Sequence, residues 1–107
     1  MSYGILLKST IVDIDQASYT ITSESIGTIF FINAVRSTTV TLPAVSASLK
    51  GIYYTFKRNG GAYNVTIDGN GSETIDGSTT KNISSTWRSW KIMCTGTQWI
   101  TIDYGVQ

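Results

Sequence analysis

The chain of 107 residues has no histidine, one cysteine and one proline. Without histidine, Ser–His and Cys–His nucleophiles and His-based metal sites are excluded. Cys94 has no partner for an intrachain disulfide, and its place in an apolar strand pattern predicts a buried, inert thiol. Asp68 and Asp76 precede glycines, where aspartate serves turn geometry rather than glycoside hydrolysis. We therefore expect no catalytic residue, no metal, no cofactor and no enzymatic activity.

Charge and long apolar runs are also scarce. Charged residues make up 14% of the chain and the net charge is +1, so nothing favours the phosphate attraction that dominates nucleic-acid binding. The apolar run Ile5–Leu7 is too short for a signal peptide, and no run approaches the roughly 18 apolar residues of a membrane span. We expect no nucleic-acid partner, no membrane insertion, and synthesis in the cytoplasm of the host cell.

Short segments of alternating apolar and polar residues, separated by Gly, Asn, Asp and Ser, fill most of the chain. No stretch has the 3.6-residue apolar period of a helix, and only 45–51 is typical of a helical turn. The pattern predicts an all-β fold of roughly eight to ten short strands, a compact antiparallel sandwich of jelly-roll type. The tight turn Thr-Gly-Thr at 95–97 predicts antiparallel pairing of the last two strands.

The triplet Thr-Ile-Asp occurs twice, at 66–68 and 74–76, each time before glycine. As an EF-hand loop the stretch lacks the required glycine and final glutamate, since Glu73 and Thr79 hold those positions. As a parallel β-helix it lacks further copies, and about three stacked coils are needed. We interpret it as two short strands joined by a Gly-Asn-Gly turn, with a second turn following. Three apolar side chains are then expected to point inward: Val65, Ile67 and Ile75.

Several phrases of the sequence recur together in one kind of protein. They are a Thr-Leu-Pro strand (41–43), a Gly-Ile-Tyr-Tyr-Thr-Phe-Lys strand (51–57), Asn-Val-Thr-Ile (64–67), Glu-Thr-Ile-Asp-Gly (73–77) and the closing Cys-Thr-Gly-Thr-Gln-Trp (94–99). In this the chain resembles a module of tail-fibre, tailspike and other virion-surface proteins of bacteriophages and large DNA viruses. The resemblance covers roughly residues 19–104.

The resemblance implies a small β-sandwich that assembles as a homotrimer in a virion. It implies a structural role as a decoration, spike or fibre-head component, with capsid or tail proteins as further partners. We divide the chain into an N-terminal arm, residues 1–18, and a sandwich module, residues 19–107. The arm is either a docking strand on the particle or the first strand of the module's own sheet. Its candidate docking residues are Ile5, Leu6, Leu7, Ile11 and Val12.

Exposed aromatic residues suggest an alternative function, a carbohydrate-binding module that recognises host surface glycans. The candidate glycan or interface aromatics are Tyr53, Tyr63 and Trp87. Trp99 is expected in the core because apolar residues surround it, whereas Trp87 stands at a strand entry beside Arg88 and is expected at the surface. An open cluster of the three candidates would favour binding, and their burial between subunits would favour assembly.

Overall fold

The computed structural model describes residue 8, residues 10–22 and residues 24–104. Their regular structure is nine β-strands and one 3₁₀ helix, η1. The bounds are β1 Ile11–Ile14, β2 Ser18–Thr20, β3 Ile29–Ile32, β4 Thr38–Thr41, η1 Ala47–Leu49, β5 Tyr53–Arg58, β6 Val65–Asp68, β7 Thr80–Ile83, β8 Ser89–Cys94 and β9 Trp99–Tyr104.

The strands form two sheets that share one core. Sheet A has five strands in the order β1-β3-β5-β8-β9, and sheet B has four in the order β2-β4-β6-β7. From β1 to β6 the chain alternates between the sheets. In sheet A, β1 pairs in parallel with β3 and β3 with β5, and in sheet B, β2 pairs in parallel with β4 and β4 with β6. The first six strands are therefore three stacked coils of a short two-sheet β-solenoid.

The predicted all-β fold is confirmed, but the antiparallel arrangement is wrong for these six strands. The Thr-Ile-Asp repeat is not the unit of the coils, as expected, because its second copy is not a strand. The coils come from segments that share no motif. Ile11 pairs with Ile29 and Ile29 with Thr55, spacings of 18 and 26 residues that leave no regular period in the sequence. Alternation with period two is common to parallel and antiparallel strands, so it does not report a neighbour's direction.

The last third of the chain is antiparallel. β7 pairs with β6, and β8 lies between β5 and β9, so the predicted pairing of the last two strands is confirmed. The second Thr-Ile-Asp copy is not a strand, since Ile75 only bridges Ser78 and Trp99. Its turn is present: Ile75 and Ser78 exchange backbone hydrogen bonds around Asp76 and Gly77, which have φ of 51° and 84°.

The core lies between the two sheets and is mainly apolar. Four aromatic residues of sheet A are fully buried in it: Phe30, Tyr54, Phe56 and Trp99. The rings of Phe30 and Phe56 stack at 5.3 Å, and Tyr54 meets Phe30 edge-on at 5.4 Å. Sheet B contributes smaller side chains from its inner face, namely Val40, Val65, Ile67 and Ile83. The expected burial of Trp99, Cys94, Val65, Ile67 and Ile75 is confirmed.

Residues Ile11–Ile14 of the N-terminal arm form β1, an edge strand of sheet A. This matches the alternative in which the arm supplies a first strand of the domain's own sheet. Val12 packs against the core, whereas the Ile11 side chain is 61% exposed. The other candidate docking residues, Ile5, Leu6 and Leu7, lie outside the described residues.

Candidate functional site

The outer face of sheet A carries six apolar side chains among polar ones. Ile11 and Ile29 are neighbours in one row, which continues through Thr55, Lys91 and Asp103, and Tyr53, Met93 and Ile100 form the next row. Ile102 is 44% exposed at the register shift between β8 and β9. These six apolar side chains are called the apolar face below. Apolar side chains gathered on one face, rather than scattered singly, favour an interaction site.

Tyr53 belongs to this apolar face rather than to an open aromatic pocket. Its ring lies over the Gly27 backbone, where a Cβ would come within 3.6 Å of the tyrosine oxygen. The Lys91 ammonium sits 5.1 Å from the ring centroid, a cation–π distance. Tyr53 is therefore held flat on the sheet, with only part of its side chain in solvent.

Trp87 occupies a backbone conformation that tryptophan rarely adopts. Arg88 donates a backbone hydrogen bond to Ser85, closing a β-turn in which Trp87 is the third residue, with φ of 61°. Glycine is the usual residue at a turn position with positive φ, because other side chains crowd the backbone there. Holding a bulky residue in this region costs on the order of 1–3 kcal/mol. The fold therefore maintains Trp87 against a local preference.

The Trp87 indole lies against two neighbours while half of the side chain stays exposed. Its exposed fraction is 50%. A Cβ at Gly60 would meet the indole at 3.1–3.3 Å, so glycine at this position lets the ring lie on the backbone. The Phe31 ring is nearly parallel to it, at 21° and 6.4 Å between centroids. Trp87, Phe31 and Gly60 are called the Trp87 platform below.

A polar ladder runs along the turn edge of the coils, just beyond β1, β3 and β5. Asn59 donates to the Asn33 side-chain oxygen at 2.6 Å, and Asn33 donates to Asp15 at 3.1 Å. Arg36 forms an ion pair with Asp15 at 2.7 Å. The Arg36 hydrogen bond is the main reason that the pKa of Asp15 lies below its ordinary value. These polar groups stabilise the stacked turns.

The structure separates Tyr53 from Trp87 instead of bringing the two together. Lys57 donates from its ammonium to the Trp87 backbone oxygen and stands four positions along β5 from Tyr53. At about 3.3 Å per residue, Tyr53 is therefore roughly 13 Å along the strand from Lys57, the residue that contacts Trp87. Tyr63 lies on the loop after β5, with its backbone bonded to Ala34 and its side chain 51% exposed. The expected surface position of Trp87 is confirmed.

Sequence reasoning missed Phe31, the residue that joins Trp87. The run Ile29–Ile32 is apolar at every position, so its pattern does not say which side chains face outward. In the structure Phe30 and Ile32 are buried, and Phe31 is on the outer face. A run that is apolar at every position gives no local signal that could have identified Phe31 as the outward residue.

The outer face of sheet B has a different chemistry. One row across its strands is Ser18, Thr39, Thr66 and Asn82, and the next is Thr20, Thr41, Asp68 and Thr80. Thr66 donates from its hydroxyl to the Asn82 side-chain oxygen at 2.9 Å. This face, called the hydroxyl face below, has polar outward side chains, with one carboxylate, on all four strands. It meets the ordinary expectation for the solvated side of a sheet.

Arg58 is a buried polar residue that the sequence pattern did not identify. It is 2% exposed, on the inner face of sheet A, and its guanidinium donates to the backbone oxygens of Gly61 and Ile83. Within residues 10–22 and 24–104, its Nε has no hydrogen-bond partner. These bonds tie β5 to β7 across the core, which is a structural role.

Among residues 8, 10–22 and 24–104, no three histidine, cysteine or acidic side chains converge as metal ligands. In that part of the chain no helix has the length and apolar character to cross a bilayer.

No protein-family model matches the chain, and no curated protein matches it significantly.

Proposed function

We propose that the chain is a phage-like structural protein of a virion surface, a homotrimeric decoration, spike or fibre-head component. The observation that supports this proposal is the apolar face of sheet A. Interface centres are enriched in aromatic residues and methionine, and this face combines Tyr53 and Met93 with four isoleucines beside Lys91. The sequence resemblance to virion-surface modules points the same way.

Assembly would work by burial of this surface. Ile11 and Ile102 are the most exposed members of the apolar face, and they lie on β1 and β9, the two edge strands of sheet A. Edge strands have unpaired backbone groups that invite uncontrolled pairing. Closure around a three-fold axis covers such edges and apolar surface in one arrangement. Capsid or tail proteins are the further partners in this proposal, and the virion is the location.

The mass of the purified chain in solution tests the proposal. Light scattering behind a sizing column should give about three times the 11.7 kDa chain mass. Ile29→Asp places a charge in the middle of the apolar face and should give a monomer, since an unpaired charge in an interface is costly. Thr39 lies on β4, an inner strand of sheet B, as Ile29 lies on β3, an inner strand of sheet A. Thr39→Asp, which places the same charge on the hydroxyl face, should leave the trimer intact.

The outcome can contradict the proposal in two ways. A wild-type chain that remains a folded monomer at high concentration would overturn the trimer. Equal dissociation by both charge substitutions would show that the apolar face is not the contact. Circular dichroism of each variant establishes that the chain is still folded, and the milder Ile29→Thr replaces Ile29→Asp where it is not.

A second candidate function is a carbohydrate-binding module for host surface glycans. The half-exposed indole of Trp87 favours it, because ring faces in solvent are the means by which proteins hold the apolar side of a sugar. The two functions are compatible, since a fibre head both assembles and attaches. The lack of enzymatic activity remains a prediction.

A further inference from the structure

Trp87 combines two features that packing alone does not explain. Its backbone has a φ of 61° at a turn position that glycine fills more easily. Its indole nevertheless remains 50% exposed instead of entering the core. Backbone strain persists where surrounding structure enforces it, and such residues cluster at ligand sites.

The platform is held rigidly from beneath. Lys57 donates to the Trp87 backbone oxygen, and the Trp87 amide donates to the Asn59 backbone oxygen, so both sides of the residue are tied to β5 and its end. Phe31 and the Gly60 backbone fix the plane of the ring. A rigid, exposed aromatic plane loses little conformational entropy when a ligand stacks on it.

Charges of both signs stand around the platform. In the strand register, Asp13 and Lys57 lie on opposite sides of Phe31 in one row, and Arg88 follows Trp87 in the chain. A carboxylate among two cations leaves no strong field of one sign, so steering adds little to the binding of a charged ligand. Asp13 and Lys57 can both form hydrogen bonds with hydroxyls.

We propose that the Trp87 platform binds the apolar face of a neutral pyranose ring, with Trp87 as the stacking residue and Lys57 and Asp13 as hydrogen-bonding neighbours. This inference rests on the carbohydrate-binding function proposed second above and assigns it a site and a ligand class. Tyr53 is not part of the site, because it belongs to the opposite end of β5.

Tryptophan fluorescence measures binding directly. Trp90 and Trp99 are 6% and 0% exposed, so they form a constant background and Trp87 is the tryptophan that a surface ligand can reach. The assembled protein would be titrated with neutral oligosaccharides of glucose, galactose, mannose and N-acetylglucosamine up to millimolar concentration. We expect a blue shift of the emission and protection from iodide quenching with at least one of them.

Substitutions assign the signal to the platform. Trp87→Gly suits the positive φ, so the fold is retained while affinity for the active oligosaccharide falls at least tenfold, and Trp87→Tyr keeps part of the affinity. Thr41→Ala on the hydroxyl face is the control and should bind as wild type. Because Trp87→Gly removes the reporter, its affinity is measured by calorimetry with the same oligosaccharide.

The inference fails if no oligosaccharide of the panel alters the Trp87 emission, or if Trp87→Gly binds as well as wild type. It also fails if Trp87 in the assembled protein is already shielded from iodide without any sugar, because the platform is then a subunit contact. The light-scattering mass tests assembly without any ligand. A trimer that binds no sugar therefore overturns the site alone, and a sugar-binding monomer overturns the assembly alone.

Discussion

The two sheets present the same kind of surface to the core and opposite surfaces to the outside. Inward, both sheets bury aliphatic side chains, with the aromatics on sheet A. Outward, sheet A has the apolar face and the Trp87 platform, whereas sheet B has two rows of mainly hydroxyl-bearing side chains. A strand stabilises the fold through one side only, so the other side is available for function. The difference between the outer faces is therefore the part of the molecule that most directly reflects partners.

The largest expected effect is on the free energy of unfolding, from substitutions in the core that the two sheets share. Phe56→Ala on sheet A should lower the free energy of unfolding by about 3–5 kcal/mol and Ile67→Ala on sheet B by about 2–5 kcal/mol, because each leaves a cavity. Urea unfolding followed by circular dichroism measures both. Thr55→Ala, next to Phe56 but directed outward, is the control and should change stability by less than about 1 kcal/mol. Similar losses at positions 55 and 56 would contradict the assigned faces.

A second test concerns the link between the sheets. Glu24 accepts hydrogen bonds from Tyr19 of sheet B at its carboxylate, 2.6 Å, and from Tyr54 of sheet A at its backbone oxygen, 2.9 Å. The hydrogen bond to Glu24 is the first cause that raises the pKa of Tyr19 from 10.0 to about 12. Burial, as the first cause, raises the pKa of Tyr54 as well.

Alkaline pH should therefore weaken this link. The protonated phenol is the donor and its pKa is higher in the folded state, so the stabilisation is complete below pH 10 and is lost as pH rises towards 12. Urea unfolding at a series of pH values measures the loss. Tyr19→Phe lacks the titrating group, and we expect a lower stability at neutral pH with a smaller decline in this window. An unchanged decline in that variant would assign the effect to other groups.

A third test makes the hydroxyl face resemble the apolar face. Thr39→Ile adds an exposed aliphatic side chain in the middle of sheet B, where it pairs with Ser18 and Thr66. Isoleucine is a good strand former, so stability should change by less than about 0.5 kcal/mol, while self-association should increase because apolar surface is now exposed on both sides. Light scattering over a range of concentrations detects it. Thr39→Ser should leave the mass unchanged, and equal masses for both variants would show that a single isoleucine is insufficient.

The smallest effect is expected at the turn edge, where neither face is involved. Arg36→Ala removes an ion pair whose side chains are 44% and 62% exposed, and such pairs contribute little to stability. The clearer result should be a rise in the pKa of Asp15 towards its ordinary value, seen by NMR titration of the carboxyl group. The stabilisation from this pair is present above the unfolded pKa of 3.8 and disappears as pH falls below it. An Asp15 pKa that does not move would leave Asn33 as its main partner.

Sequence reasoning gave correct answers where the information was local. The strand and turn pattern placed Val65, Ile67 and Ile75 on the inside, and all three are buried. The Asp-Gly turn after Ile75 and the Thr-Gly-Thr turn before the last strand were both identified from residues that favour those backbone angles. Each of these predictions depends on a few neighbouring residues.

Sequence reasoning failed where pairing partners are distant. The three-residue connection between β1 and β2 has the length of a hairpin loop, but the two strands enter different sheets and pair with β3 and β4 instead. The glycine-containing loop at 59–63 likewise carries the chain from sheet A to sheet B. Whether a short loop folds a strand back on itself or across the core depends on the surface that the rest of the chain provides.

At the candidate site too, local features were predictable from the sequence and long-range contacts were not. The sequence indicated Trp87 as a surface residue, but neither its positive φ nor its contact with Phe31 and Gly60, 27 or more residues away along the chain, could be derived from local pattern.

By itself, therefore, the sequence determined that this protein is all β, that side chains such as Val65 and Ile67 are inside, and where several turns fall, because alternation and turn chemistry are local. Only the tertiary structure decided that the first six strands stack in parallel as coils, which places Ile11 beside Ile29 and Phe31 beneath Trp87. Strand direction and outer-face neighbours follow from long-range pairing, and its energy depends on the whole core rather than on any one segment.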